Sequence, residues 1–173
     1  MGPRKCYNGA MEEERTLEFF SGSEQDTKRL GEALAAALGR GAVILLKGDL
    51  AAGKTALSRS IFAYRGFEKG FCSPTFSIVN VYEREGALAL HADLYRLGDA
   101  EELVYTGFYD MLGDADITVV EWPELISEEM GDTSTVIDID ILPEPGERMF
   151  HIRVPDGETC LRLKEELNAG TGC

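Results

Sequence analysis

Two short stretches of the chain, Ala42-Val43-Ile44-Leu45-Leu46 and Ile117-Thr118-Val119-Val120, are apolar without alternation. That is the pattern of strands buried on both faces of a parallel sheet. Helical spacing surrounds the first of them. Leu30, Leu34, Ala37 and Leu38 share one face of a helix that Ser21 or Ser23 can cap and that Gly39 and Gly41 end. Leu57, Ile61 and Tyr64 recur at the same spacing after it. Elsewhere the pattern predicts a first strand over 16–20 and a hairpin of strands 77–83 and 87–94 across Arg84-Glu85-Gly86. On the second of these, Leu88, Leu90, Ala92 and Leu94 face one way and His91 and Asp93 the other. A further hairpin, 135–141 with 148–154, turns at Pro143-Glu144-Pro145-Gly146. Asp99, Glu101 and Glu102 form the acidic start of a short helix that is interrupted or ends near Gly107. Trp122-Pro123 stops the second apolar strand, and Pro123 suits the first position of a following helix.

These elements predict a single α/β domain, a mixed sheet with parallel core strands plus antiparallel hairpins, flanked by helices. Length agrees, since 173 residues bury about 70% of the unfolded surface in one core. The expected organisation is a disordered leader over 1–15, a domain over 16–167 and a flexible tail over 168–173, with Gly66-Phe67-Glu68-Lys69-Gly70 a flexible connection inside the domain. Cys6, Cys72, Cys160 and Cys173 lack metal-finger or redox spacing and read as free thiols of a reducing compartment. Residues 1–15 hold no apolar signal core, and no run approaches membrane-spanning length, so a cytoplasmic protein is expected. With 31 acidic against 17 basic residues the formal charge is -14, which opposes direct contact with a polyanion.

The chemistry enters at Gly48-Asp49-Leu50-Ala51-Ala52-Gly53-Lys54-Thr55, which fits G-x-x-x-x-G-K-[ST] and lies between a predicted strand and a predicted helix. It reads as a phosphate loop, and the domain as P-loop NTPase-like. Several backbone N–H groups must converge on a triphosphate, and a tight loop running into a helix supplies them. The stretch from Asp49 through Leu50, Ala51, Ala52, Gly53 and Lys54 to Thr55 and Ala56 is therefore the candidate nucleotide-binding segment. Lys54 reaches the outer phosphates and the Thr55 hydroxyl suits magnesium.

Glu121, where the second apolar strand ends, is the candidate metal-associated carboxylate, while the side chains of Asp49 and Glu124 read as solvated or structural. Asp93 and His91 read either as a surface pair or as a carboxylate that orients water with His91 as its neighbour. Thr75, after Pro74, reads as a turn residue or as a hydroxyl ordered by the terminal phosphate, and Trp122 as a core, interface or nucleotide-contacting ring. Asp138 and Asp140 form an exposed face that His151 or Arg153 can balance, and Cys72 reads as inert.

GDLAAGKT at 48–55, SPTF at 73–76, HADLYRL at 91–97 and VEWPE at 120–124, in that order, resemble the TsaE family, also called YjeE. The resemblance covers about residues 16–155. It implies an ATPase of bacterial tRNA threonylcarbamoyladenosine formation that binds ATP and Mg2+, hydrolyses slowly and acts with TsaB and TsaD, the tRNA being met through the complex. It also implies that Lys54 and Thr55 hold phosphate and magnesium, that Glu121 is the metal-associated acid, and that Thr75 is switch-like. Asp93 matches an aspartate implicated in activity and Trp122 a ring beside the nucleotide. Ala51 stands where the family usually has glycine, and Ala56 where a second threonine is common; a methyl at 51 restricts the loop's dihedrals. The rival readings are a small-molecule kinase and a nucleotide-sensing switch. Against the first, Arg59, Arg65, Arg84 and Arg96 are scattered rather than gathered in a lid; against the second, Asp110-Met111-Leu112-Gly113 follows no buried strand.

Overall fold

The computed structural model describes residues 14–74 and 76–169. Seven strands form one sheet: β1 (Thr16–Ser21), β2 (Ala42–Gly48), β3 (Val79–Arg84), β4 (Ala87–Asp93), β5 (Ile117–Glu121), β6 (Thr135–Ile141) and β7 (Arg148–Arg153). Their spatial order is β1-β7-β6-β2-β5-β4-β3. The four middle strands β6, β2, β5 and β4 run parallel, while β1, β7 and β3 join antiparallel at the flanks. Six helices complete the described residues: α1 (Glu24–Ala37), α2 (Lys54–Tyr64), α3 (Ala100–Val104), α4 (Phe108–Leu112), α5 (Ser127–Met130) and α6 (Gly157–Ala169).

The unbroken apolar runs are buried on both sides because the sheet divides two cores. Ile44, Leu46, Ile117 and Val119 point into one, with Leu30, Leu34, Leu57 and Ile61 of α1 and α2 and Cys160 and Leu163 of α6. Leu45 and Val120 point into the other, under Leu103, Phe108 and Met130 of the short helices and Ile126 just before the last of them. The hairpin between β3 and β4 turns on Glu85 and Gly86, both at positive φ (49° and 82°), as a tight two-residue connection requires. Ser23 caps α1 by accepting from the Asp26 amide.

Five expectations need correction. Tyr64 is 55% exposed, and Phe62 takes the buried place beside Ile61. The connection at 66–70 is anchored by Phe67, buried in the first core, whose amide donates to the Phe62 carbonyl. Pro123 opens a turn closed by the Ile126 amide, and the next helix starts only at Ser127. Strand β3 begins at Val79, because Ser77 and Ile78 turn back to donate to the Pro74 carbonyl. A helix with sparse apolar positions, α6, was not expected; it runs to Ala169, past the start of the expected tail. The leader falls almost wholly on residues 1–13 and the rest of the tail on 170–173, outside the described residues. Among the described residues no helix is long and apolar enough to cross a membrane.

Candidate functional site

Parallel register brings the carboxyl ends of β2, β5 and β4 to one edge of the sheet, with Leu46 level with Glu121 and Glu121 level with Asp93. Open parallel sheets place ligands along such an edge. The glycine-rich loop leaves β2 here. Gly48 (φ 131°) lies against β6 so closely that a Cβ would come within 2.7 Å of the Ile139 carbonyl oxygen, and Gly53 (φ 106°) turns the chain into α2 without a side-chain cap. The first amides of α2 thus open onto the loop. Ala51 takes φ 65° although it carries a Cβ, which costs about 1–2 kcal/mol. Arg148, from the far hairpin, holds this strained corner by donating from Nε to the Ala52 carbonyl (3.1 Å) and from Nη2 to that of Ala51 (3.2 Å).

Lys54 is buried, and its Nζ donates to the carbonyls of Gly48 (2.6 Å) and Asp49 (2.8 Å) while lying 3.8 Å from the centre of the Trp122 ring. Trp122 itself has φ 56° and packs on Tyr95 at 4.8 Å. Burial pulls the Lys54 ammonium below its ordinary value, opposed by the charges of Glu121, Asp93, Glu124 and Asp49.

Glu121 is 2% exposed and accepts three hydrogen bonds. Its Oε2 receives the Thr55 hydroxyl at 2.9 Å, and its Oε1 receives the Ser58 hydroxyl at 3.1 Å and His91 Nε2 at 2.8 Å. Asp93 stands beside it, half-buried, accepting from the Tyr95 amide at 3.1 Å. Burial raises the Asp93 carboxyl above the ordinary carboxylate range, and the Glu121 charge adds to the rise; the Tyr95 amide, His91 and Lys54 oppose it.

Leu50, Ala51, Ala52, Gly53, Lys54, Thr55, Ala56, Asp93, Glu121 and Trp122 line one cavity of about 370 Å³. Asp49 enters the site through its carbonyl. Thr75 lies outside the described residues, though its neighbour Ser73 lines the same cavity. The expected His91–Asp93 surface pair is not formed. The strand carrying both lies inside the sheet, so His91 is 0% exposed and turns to Glu121 instead. A second cavity of about 620 Å³ adjoins the loop, sharing Ala52, Gly53, Thr55 and Ala56 with the first and adding Ser23, Thr27, Arg59 and Arg148. Sequence reasoning missed Ser58, Arg148 and the role of His91. Only Ser58, one helical turn after Lys54, had a local signal.

Residues 21–150 match the family model for the threonylcarbamoyl adenosine biosynthesis protein TsaE. The tRNA threonylcarbamoyladenosine biosynthesis protein TsaE of Synechocystis sp. is 44% identical over 119 residues, covering 66% of this chain and 75% of that one. Its Treponema pallidum namesake is 34% identical over 129 residues, covering 74% and 94% respectively. The crystal structure of YdiB from Bacillus subtilis superposes with a TM-score of 0.68 at 25% identity, over 91% of this chain and 97% of the other.

Proposed function

Because the chain belongs to the TsaE family, we propose that it serves threonylcarbamoyladenosine formation on tRNA as a magnesium-dependent ATPase. The observation that carries this reading is the Thr55–Glu121 contact, a hydroxyl and a buried carboxylate 2.9 Å apart beside Lys54 at the start of a helix. Thr55 donates its O–H to Glu121 in a hydrogen bond and so keeps its oxygen lone pairs free, which makes the two oxygens a hard donor pair of the kind magnesium takes. Magnesium bound there would neutralise charge on the outer phosphates.

The loop amides and the start of α2 receive the phosphate oxygens, with Lys54 as the counter-charge. The nucleoside occupies the second cavity, which shares Ala52, Gly53, Thr55 and Ala56 with the first and which Arg59 and Arg148 border. Asp93, its carboxyl raised by burial, orients the attacking water, and Trp122 walls the phosphate side next to Lys54. TsaB and TsaD are the expected protein partners. A formal charge of -14 leaves tRNA contact to them, and the protein acts in the cytoplasm through that complex.

Two measurements test this. In a binding titration ATP is expected to outcompete GTP, and tighter GTP binding overturns the base assignment. In multiple-turnover formation of threonylcarbamoyladenosine with TsaB and TsaD, adding the protein is expected to raise yield and Lys54→Ala to abolish the gain. Equal yield with and without the protein refutes the role, and phosphate passing to a metabolite rather than water favours a kinase.

A further inference from the structure

Glu121 can face its surroundings correctly only if something fixes which oxygen points where. Ser58 cannot do so alone, because its single hydroxyl proton is shared between the Lys54 carbonyl (2.9 Å) and Glu121 Oε1 (3.1 Å). His91 Nε2, at 2.8 Å, is the donor committed to Oε1. The tautomer follows from the surroundings. Nδ1 is buried with no hydrogen-bond partner, so a proton there would be an orphaned donor while Nε2 turned a lone pair onto a carboxylate. Nε2 therefore carries the proton.

The ring is itself gripped. It stacks on Phe71 at 5.3 Å and 18° and leans on Phe62 at 5.4 Å. Phe71 belongs to the segment that leads into Ser73 at the wall of the first cavity, and it also stacks on Tyr82, whose hydroxyl donates to the Cys72 carbonyl at 3.0 Å. Phe71 thus ties the orientation of the imidazole, and with it the bond to Oε1, to that segment.

We propose that His91 is a positioning residue: held by Phe71, it locks Oε1 of Glu121 inward so that Oε2, beside Thr55, is the oxygen offered to the divalent ion. This rests on the reading of Thr55 and Glu121 as the magnesium pair. Groups that orient a metal ligand from behind are worth about 10-fold to 100-fold in metal affinity.

The test is the dissociation constant of a fluorescent ATP analogue, measured with magnesium and with EDTA, for wild type, His91→Phe and His91→Gln. His91→Phe keeps the stacking and removes the donor. It is expected to lower the magnesium-dependent part of affinity by about 10-fold or more while the EDTA value stays within about 2-fold. His91→Gln restores an N–H and is expected to recover most of the loss, which a merely space-filling role does not predict. Equal loss with and without magnesium, or no rescue by glutamine, overturns the proposal. If His91→Phe does not fold, Phe71→Leu takes its place. That variant keeps the donor and frees the ring, so a weakened magnesium response supports the coupling and an unchanged one refutes it. A wild type that binds the analogue equally with and without magnesium sinks the ATPase reading and this inference together. A responsive wild type with an unaffected His91→Phe sinks the inference alone.

Discussion

Replacing Glu121 by glutamine and by alanine should separate folding from metal binding. In Glu121→Gln the amide oxygen can occupy the Oε1 position and keep the bonds from His91 and Ser58. The amide nitrogen then faces Thr55, whose hydroxyl turns to accept instead of donate. Every buried group stays paired and a buried charge disappears, so the stability change is expected within about 1 kcal/mol. Glu121→Ala is different. Ser58 falls back on the Lys54 carbonyl and half-buried Thr55 reaches the cavity, but His91 Nε2–H, in a fully buried ring, is orphaned. That orphan costs about 1–3 kcal/mol and the void about 1–2 kcal/mol more, for a total of about 2–5 kcal/mol. Urea unfolding followed by circular dichroism measures both. Magnesium-dependent nucleotide affinity should be lost in the two variants alike. Equal stability of the two would refute the assignment of His91 as a donor that needs Glu121.

Ala51→Gly should relieve the left-handed strain of about 1–2 kcal/mol against about 0.4–1 kcal/mol of added chain entropy, giving a small rise in melting temperature; a clear fall would contradict it. Gly48→Ala places a methyl 2.7 Å from the Ile139 carbonyl in a backbone region closed to side chains, and should destabilise by about 2–4 kcal/mol, so an unchanged melting temperature is the disproof. Asp93→Asn keeps the acceptor for the Tyr95 amide and should be at least as stable as wild type at neutral pH while losing ATP turnover. The sign follows from the raised carboxyl: below the unfolded value of about 3.9 neither state is charged, and wild type loses stability as pH rises from there through the higher folded value. The stability gap between the two proteins should therefore close on acidification, and a gap that widens instead excludes a desolvated Asp93.

What was legible in the sequence was local or periodic. The glycine-rich loop, the two apolar runs and the carboxylate ending the second are features of a few consecutive residues, and the sheet follows from them. Glu121 was legible as a candidate site residue because four residues buried in the sheet lead into it. Its partner was not, because the His91 contact is diagonal. His91 is level with Val119, and only the parallel register of β4 and β5 lets a glutamate two residues further on reach back to it. Arg148 was hidden for a similar reason, arriving 97 residues after the carbonyl it holds. In α6 the buried positions Cys160 and Leu163 are outnumbered by charged neighbours, so the periodic signal was faint even though the packing is complete. The methyl at 51 was legible as a restriction, but its positive φ belongs to the folded loop.

The pairing of β1 with β7, and of β7 with β6 beside β2, has a bearing on how the protein is made. During synthesis the glycine-rich loop leaves the ribosome about a hundred residues before Arg148 and the strand that carries it. Until that hairpin emerges, the first strand lacks its neighbour and the corner at Ala51 has no guanidinium to hold it. A nascent chain stopped short of Arg153 therefore exposes an unfinished sheet and an unbraced glycine-rich loop, and the loop's corner is held only once Arg148 and its strand have been made.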